Sequence, residues 1–87
     1  MEFKKKYKDY DPNILWETWY EKNGKKQGEY TLYYDDGNIW EQGSYDDGFR
    51  DGKWKCLHEN GRLEHELEFN KGLLVNREIT LFLAQIK

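Results

Sequence analysis

Glycines recur every 24 residues along this chain: Gly24, Gly48 and Gly72 form one series, and Gly28/Gly52 and Gly37/Gly61 keep the same interval. The segment GEYTLYYDDGNIWEQGSYDDG (Gly28 to Gly48) lies over GKWKCLHENGRLEHELEFNKG (Gly52 to Gly72) with its glycines coinciding. Tyr30 then meets Trp54, Asp35-Asp36 meets Glu59-Asn60, Ile39 meets Leu63, and Tyr45 meets Phe69. A period of this length marks a repeat architecture, in which one supersecondary unit is copied and buries its apolar face only against its neighbours. It constrains the fold tightly and the function loosely, because a repeat stack is a platform.

Each repeat reads as strand, tight turn, strand. Asp36-Gly37 and Asn60-Gly61 predict two-residue type I′ hairpins, with Asp35 opposite Asn38 and Glu59 opposite Arg62. Strands are expected over 29–35, 38–46, 53–59 and 62–70, joined by five-residue linkers that begin at Gly24, Gly48 and Gly72. Upstream, Leu15-Trp16-Glu17 is the earlier copy of Ile39-Trp40-Glu41, so residues 14–22 form the second strand of a degenerate hairpin turning near Asp11-Pro12-Asn13. Downstream, Gly72 persists, but Asn76 replaces a glycine and Glu78 an aromatic, as suits an end cap. Residues 77–85 alternate like a strand and also place apolar residues at helical spacing, which leaves both readings open. The expected organisation is one all-β domain, an elongated antiparallel meander of tandem hairpins in a single sheet. Its parts are an N-terminal tail and degenerate half repeat (1–22), repeats over 23–46 and 47–70, and a cap over 71–87.

The same registers sort the side chains into two faces. Tyr30, Leu32, Tyr34, Ile39, Gly43 and Tyr45, then Trp54, Cys56, Leu63, Leu67 and Phe69, form the expected core face, with Tyr30 opposite Gly43. The other face is mostly polar, but Tyr33 and Trp40 are expected to pair across their hairpin, with Leu57 and Trp16 nearby. Exposed aromatics rimmed by charge are the composition of an interface centre.

The chain is short, at 87 residues, so a deep catalytic cleft is not expected. Aromatic residues are 17% of it, which suits a half-buried pleated sheet. Residues 1–8 hold Lys4, Lys5, Lys6 and Lys8 against Glu2, so with −3 overall the remainder carries −6. An acidic body argues against a nucleic-acid partner and a membrane surface, and toward a basic protein partner or simply toward solubility. The lysine cluster reads as a solvated end. A single cysteine, no apolar stretch of membrane-spanning length and no apolar run after the first lysines make a cytoplasmic location the expectation.

One constellation gathers side chains with metal-binding or nucleophilic chemistry. Asn60-Gly61 as the turn sets Cys56 opposite His65 and diagonal to His58, close enough to suggest a zinc site with Glu41 as a fourth ligand. A small buried thiol beside partly exposed imidazoles is the better account, and a Cys/His nucleophile pair lacks a cleft and an oxyanion hole. No catalytic residue, metal or cofactor is therefore expected. The glycines at repeat boundaries lack the Lys-Ser/Thr and following helix of a phosphate cradle.

A glycine followed two positions on by Tyr or Trp, an Asp/Asn-Gly turn, and a closing aromatic before Asp/Asn-x-Gly together resemble the MORN repeats. Within them the chain is similar to the variant found in YwqK-like antitoxin proteins, over about residues 13–76. That resemblance implies a hairpin per repeat and a small non-catalytic protein that binds and neutralises a partner toxin. On this reading Trp16, Tyr33, Trp40 and Leu57 anchor the partner, with Glu17, Glu64, Glu66 and Asp51 as the charged rim. The alternatives are a membrane-proximal scaffold, as the wider MORN family implies, and self-association into a homodimer through an open sheet edge.

Overall fold

The computed structural model describes residues 1–79 as one seven-stranded antiparallel sheet with the strands in sequence order. The strands are β1 (Glu2–Lys8), β2 (Asp11–Lys22), β3 (Lys25–Tyr33), β4 (Ile39–Asp46), β5 (Phe49–Leu57), β6 (Leu63–Asn70) and β7 (Leu73–Ile79). The molecule measures 44 × 30 × 16 Å, an elongated meander one sheet thick. Residues 2–8, expected as a loose tail, form a strand paired along β2. Residues 77–79 belong to β7, and the rest of the segment read as strand or helix lies outside the described residues.

The two-residue turns fall at the other glycine series. Asn23-Gly24, Asp47-Gly48 and Lys71-Gly72 all have positive φ, as a type I′ turn requires, and they close Lys22 on Lys25, Asp46 on Phe49 and Asn70 on Leu73. The expected five-residue linkers are thus strand, and β3 and β5 begin earlier than predicted. At Asp36-Gly37 the loop has three residues instead. Gly37 N–H donates to Tyr34 C=O at 3.0 Å, Tyr34 N–H donates to Asn38 C=O at 2.8 Å, and only Gly37 among the loop residues has positive φ. His58, Gly61 and Arg62 repeat this geometry.

A three-residue loop should slip the register by one, yet Tyr30 still faces Gly43 and Cys56 still faces His65, as expected. The slip is undone by one extra residue in the returning strand, at Trp40 and at Glu64, and an extra Trp16 occupies the same place in β2. The 24-residue repeat therefore copies the bulge as well as the strands.

The core is a row of rings on one face. Trp54 is 1% exposed, and its ring meets Tyr30 at 5.5 Å, Tyr45 at 5.2 Å and Phe69 at 6.3 Å. Arg50 lies over Trp54 at 4.5 Å, and Lys26, one repeat earlier, lies over Tyr30 at 5.1 Å. Long cationic side chains thus stand in for a second layer, their charged ends lying over the ring faces. Tyr30 does oppose Gly43 in register, but the ring that covers that glycine is Trp54, from the strand on its other side. Leu63, expected in this core, is 39% exposed, and Ile39 pairs with Tyr33 on the opposite face. The bulge is the reason, since one extra residue reverses the inward and outward alternation between the loop and the body of the strand. The face expected to be polar also buries Thr31, 4% exposed, whose hydroxyl accepts from Gln42 at 3.2 Å.

Candidate functional site

The aromatic residues singled out in the sequence separate in space. Trp40 does not pair with Tyr33; it stacks on Tyr34, with ring centroids 5.1 Å apart and planes 16° from parallel. Tyr34 in turn reaches across β4 to donate its hydroxyl to Leu57 C=O at 2.7 Å, which ties neighbouring hairpins together. Trp16, the equivalent bulged residue, lies beneath Lys6 and Lys8 at 4.8 and 5.2 Å. Both tryptophans therefore belong to the ring-bearing face, and Trp40 remains 39% exposed there.

The opposite face carries a row that the sequence reading did not assemble. Leu15, Ile39 and Leu63 are repeat equivalents one position before each bulge, and their direct partners are Tyr7, Tyr33 and Leu57. Paired residues share a face, so these six side chains run across the sheet from β1 to β6 on the side away from Trp54. Tyr33 and Leu57 were expected on that face; Ile39 and Leu63 were assigned to the other. Between Ile14, Leu15 and Tyr33 lies an open hollow of about 320 Å³, with Asp35 and Asp36 at its rim. The 24-residue spacing of Leu15, Ile39 and Leu63 is the sequence signal that marks them as one row.

The charged residues also divide. Glu17 accepts the Tyr30 hydroxyl at 2.7 Å on the ring face, and Asp51 accepts the Lys71 backbone N–H at 2.9 Å. Gln27, one repeat earlier than Asp51, accepts from Asp47 N–H at 2.7 Å, so this position joins one repeat to the next turn. Glu64 is exposed at its bulge, 3.6 Å from His65 Nδ1, and Glu66 faces Lys55 across the β5–β6 ladder. Of the β1 lysines, Lys8 is tied to a neighbouring hairpin: it pairs with Asp35 at 3.3 Å, and the Tyr10 hydroxyl donates to the same carboxylate at 2.5 Å. These two bonds hold the Asp35 carboxyl below the usual carboxylate range, the tyrosine hydrogen bond being the larger cause.

Cys56 and His65 are opposed as expected, but the thiol turns to Glu41, with Sγ 3.7 Å from Oε2. Among the described residues no three His, Cys, Asp or Glu side chains come together in a way that could hold a metal ion. Burial, then the Glu41 charge and hydrogen bond, push the Cys56 thiol up to about 11 from 9.0. At about pH 8 its alkylation by iodoacetamide is expected to run about a hundredfold slower than in the urea-unfolded chain, because so little thiolate is present. The folded thiol keeps its proton to higher pH than the unfolded one, so its contribution to stability is full below pH 9.0 and lost as pH rises through about 11. Equal alkylation rates in the two states would place the thiol in water.

Comparison with known proteins adds one finding. No curated protein and no solved structure matches this chain. The model of the MORN repeat variant matches twice, over residues 26–47 and 50–71, each match spanning a three-residue loop with its flanking strands and ending in a type I′ turn. Those two segments together make up half of the sequence, and with the same period running through the fold, the chain belongs to the MORN repeat variant family.

Proposed function

We propose that this chain is a non-catalytic protein-binding module that neutralises a partner effector by direct binding, as an antitoxin or immunity protein does. MORN repeats are in general protein-binding and scaffold modules, which supports the coarser half of this reading. The observation that carries it is the apolar row of Leu15, Tyr33, Ile39, Leu57 and Leu63. No second layer of the described residues covers it, and a sheet face of that composition gains most when a partner removes it from water. Direct inhibition needs only an obstructing surface. The acidic body favours a basic effector, whose approach it would accelerate at low salt.

The test is affinity capture from the native host with immobilised chain, wild type against Tyr33→Ser/Leu57→Ser. A thermal melt of each would first establish that both are folded. One stoichiometric partner that the wild type retains and the variant loses is the expected result. Equal recovery by both, or no partner, would overturn the reading.

A second reading, self-association through a sheet edge, has its own support. β7 pairs only with β6 among the described residues and exposes Leu73, Leu74 and Val75, the first of them at 71%. Light scattering over a range of concentrations would show a dimer or exclude it.

A further inference from the structure

The two rows of turns that border the sheet differ in charge. Along the border of type I′ turns, Lys22, Lys25 and Lys71 stand with Asp46 and Asp47. Both aspartates are paired there, Lys25 with Asp47 at 3.7 Å and Lys71 with Asp46 at 3.5 Å. Along the other border, the turns of β1–β2, β3–β4 and β5–β6 bring Asp9, Asp11, Asp35, Asp36 and Glu59 together against Lys8 and Arg62. Only Asp35 of these five carboxylates forms an ion pair within 4 Å among the described residues. This acidic border lies beside the apolar row, and the hollow between Ile14, Leu15 and Tyr33 connects the two.

Resting on the binding-module reading above, we infer that the row is the seat of a basic amphipathic helix of the partner protein, lying across the strands with its cationic flank toward the acidic turns. The direction of the row selects a helix. A partner strand adds to a sheet at an edge, parallel to the existing strands, where ladder hydrogen bonds are open. A segment crossing five strands finds no backbone partners, so its own N–H and C=O groups must be satisfied internally. The row from β2 to β6 spans four interstrand spacings, about 19 Å in all. A helix of about 13 residues covers that length. Charge selects the sign of its flank: Lys or Arg beside the apolar stripe would reach Asp36 and Glu59, which an acidic helix could not approach. The hollow takes one apolar side chain of the helix, with Asp36, which forms no ion pair among the described residues, at its rim to receive a neighbouring cation.

The probe is a synthetic, side-chain-stapled helix of about 13 residues with one leucine stripe flanked by lysines. Two controls are the same helix with every lysine replaced by glutamate and a proline-interrupted version of the lysine peptide. Each is titrated into the ¹⁵N-labelled full chain. The lysine helix is expected to shift the amides of Leu15, Tyr33, Ile39, Leu57 and Leu63, while the controls leave them in place. Its affinity should fall about tenfold or more between about 50 and about 500 mM salt. Asp36→Asn/Glu59→Gln should weaken it about three- to tenfold without disturbing the fold. Asn60 already holds the position of Asp36 in the next repeat, and each accepts the backbone N–H two residues on.

Equal binding of the lysine and glutamate helices, shifts confined to the ring face or β7, or no binding at all would overturn the inference. Concentration-dependent shifts of the same row in the free chain would assign the face to a second copy and overturn it as well. If capture yields a partner that Tyr33→Ser/Leu57→Ser loses while the lysine helix leaves the row unmoved, the binding-module reading stands and this one falls.

Discussion

Gly43→Ala is expected to destabilise the fold by about 3 kcal/mol, although backbone preference alone argues for the opposite sign. Gly43 lies outside the left-handed region, so alanine meets no dihedral penalty. In an ordinary strand interior the exchange would gain about 0.5–1 kcal/mol. The obstacle is the Trp54 indole: a Cβ at position 43 would stand 2.2–2.5 Å from three of its ring atoms. Nor is the ring free to retreat. Its Nε1–H donates to Ser44 C=O at 3.0 Å, Tyr45 meets its edge, and the Arg50 guanidinium lies over it. A lower urea midpoint with an unchanged slope would confirm this sign, whereas a more stable alanine variant would mean that the ring moves aside at little cost.

Trp54→Ala should be the most damaging single change, at about 3–5 kcal/mol. A chain of this length has roughly 4–13 kcal/mol in total. The loss has several parts. It removes the one large side chain that is fully buried among the described residues, and it deprives Tyr30, Tyr45 and Phe69 of their shared neighbour. Arg50 also loses the ring face over which its guanidinium lies. The two predictions are coupled, because both act on one contact. In a Trp54→Leu background, which keeps bulk without the indole, Gly43→Ala should become neutral or mildly favourable. If the two changes simply add, the steric account of Gly43 is wrong. Near-UV circular dichroism of each variant gives an independent check that the ring cluster has been lost or kept.

Much of the fold was legible from spacing. The 24-residue period announced stacked hairpins, and the pairings of Tyr30 with Gly43 and Cys56 with His65 were read correctly. They were right for an incomplete reason. Asn23-Gly24 and Asp47-Gly48 carry the same dipeptide chemistry as Asp36-Gly37 and Asn60-Gly61, and local chemistry did not separate the two classes. A two-residue turn and a three-residue loop with a compensating bulge yield the same register beyond the first few pairs. The error stayed confined to residues near the loops, where Trp40 and Ile39 exchange faces.

The candidate site was less legible for that same reason. Tyr33 and Leu57 were placed on the right face, while Ile39 and Leu63, which complete the row, were assigned to the core. Glu17 and Asp51 looked like free rim charges in the sequence, yet they accept hydrogen bonds from residues 13 and 20 positions away. No local pattern reports such partners.

By itself, then, the sequence determined that this protein is a one-sheet stack of hairpins, because a fixed period of glycines and aromatics permits little else. The tertiary structure decided which face holds the rings, where the bulges fall and which carboxylates remain free. Those outcomes depend on contacts between strands two apart, such as Trp54 against Tyr30 and Tyr34 reaching Leu57. Packing energy resolves there what local backbone preference leaves degenerate.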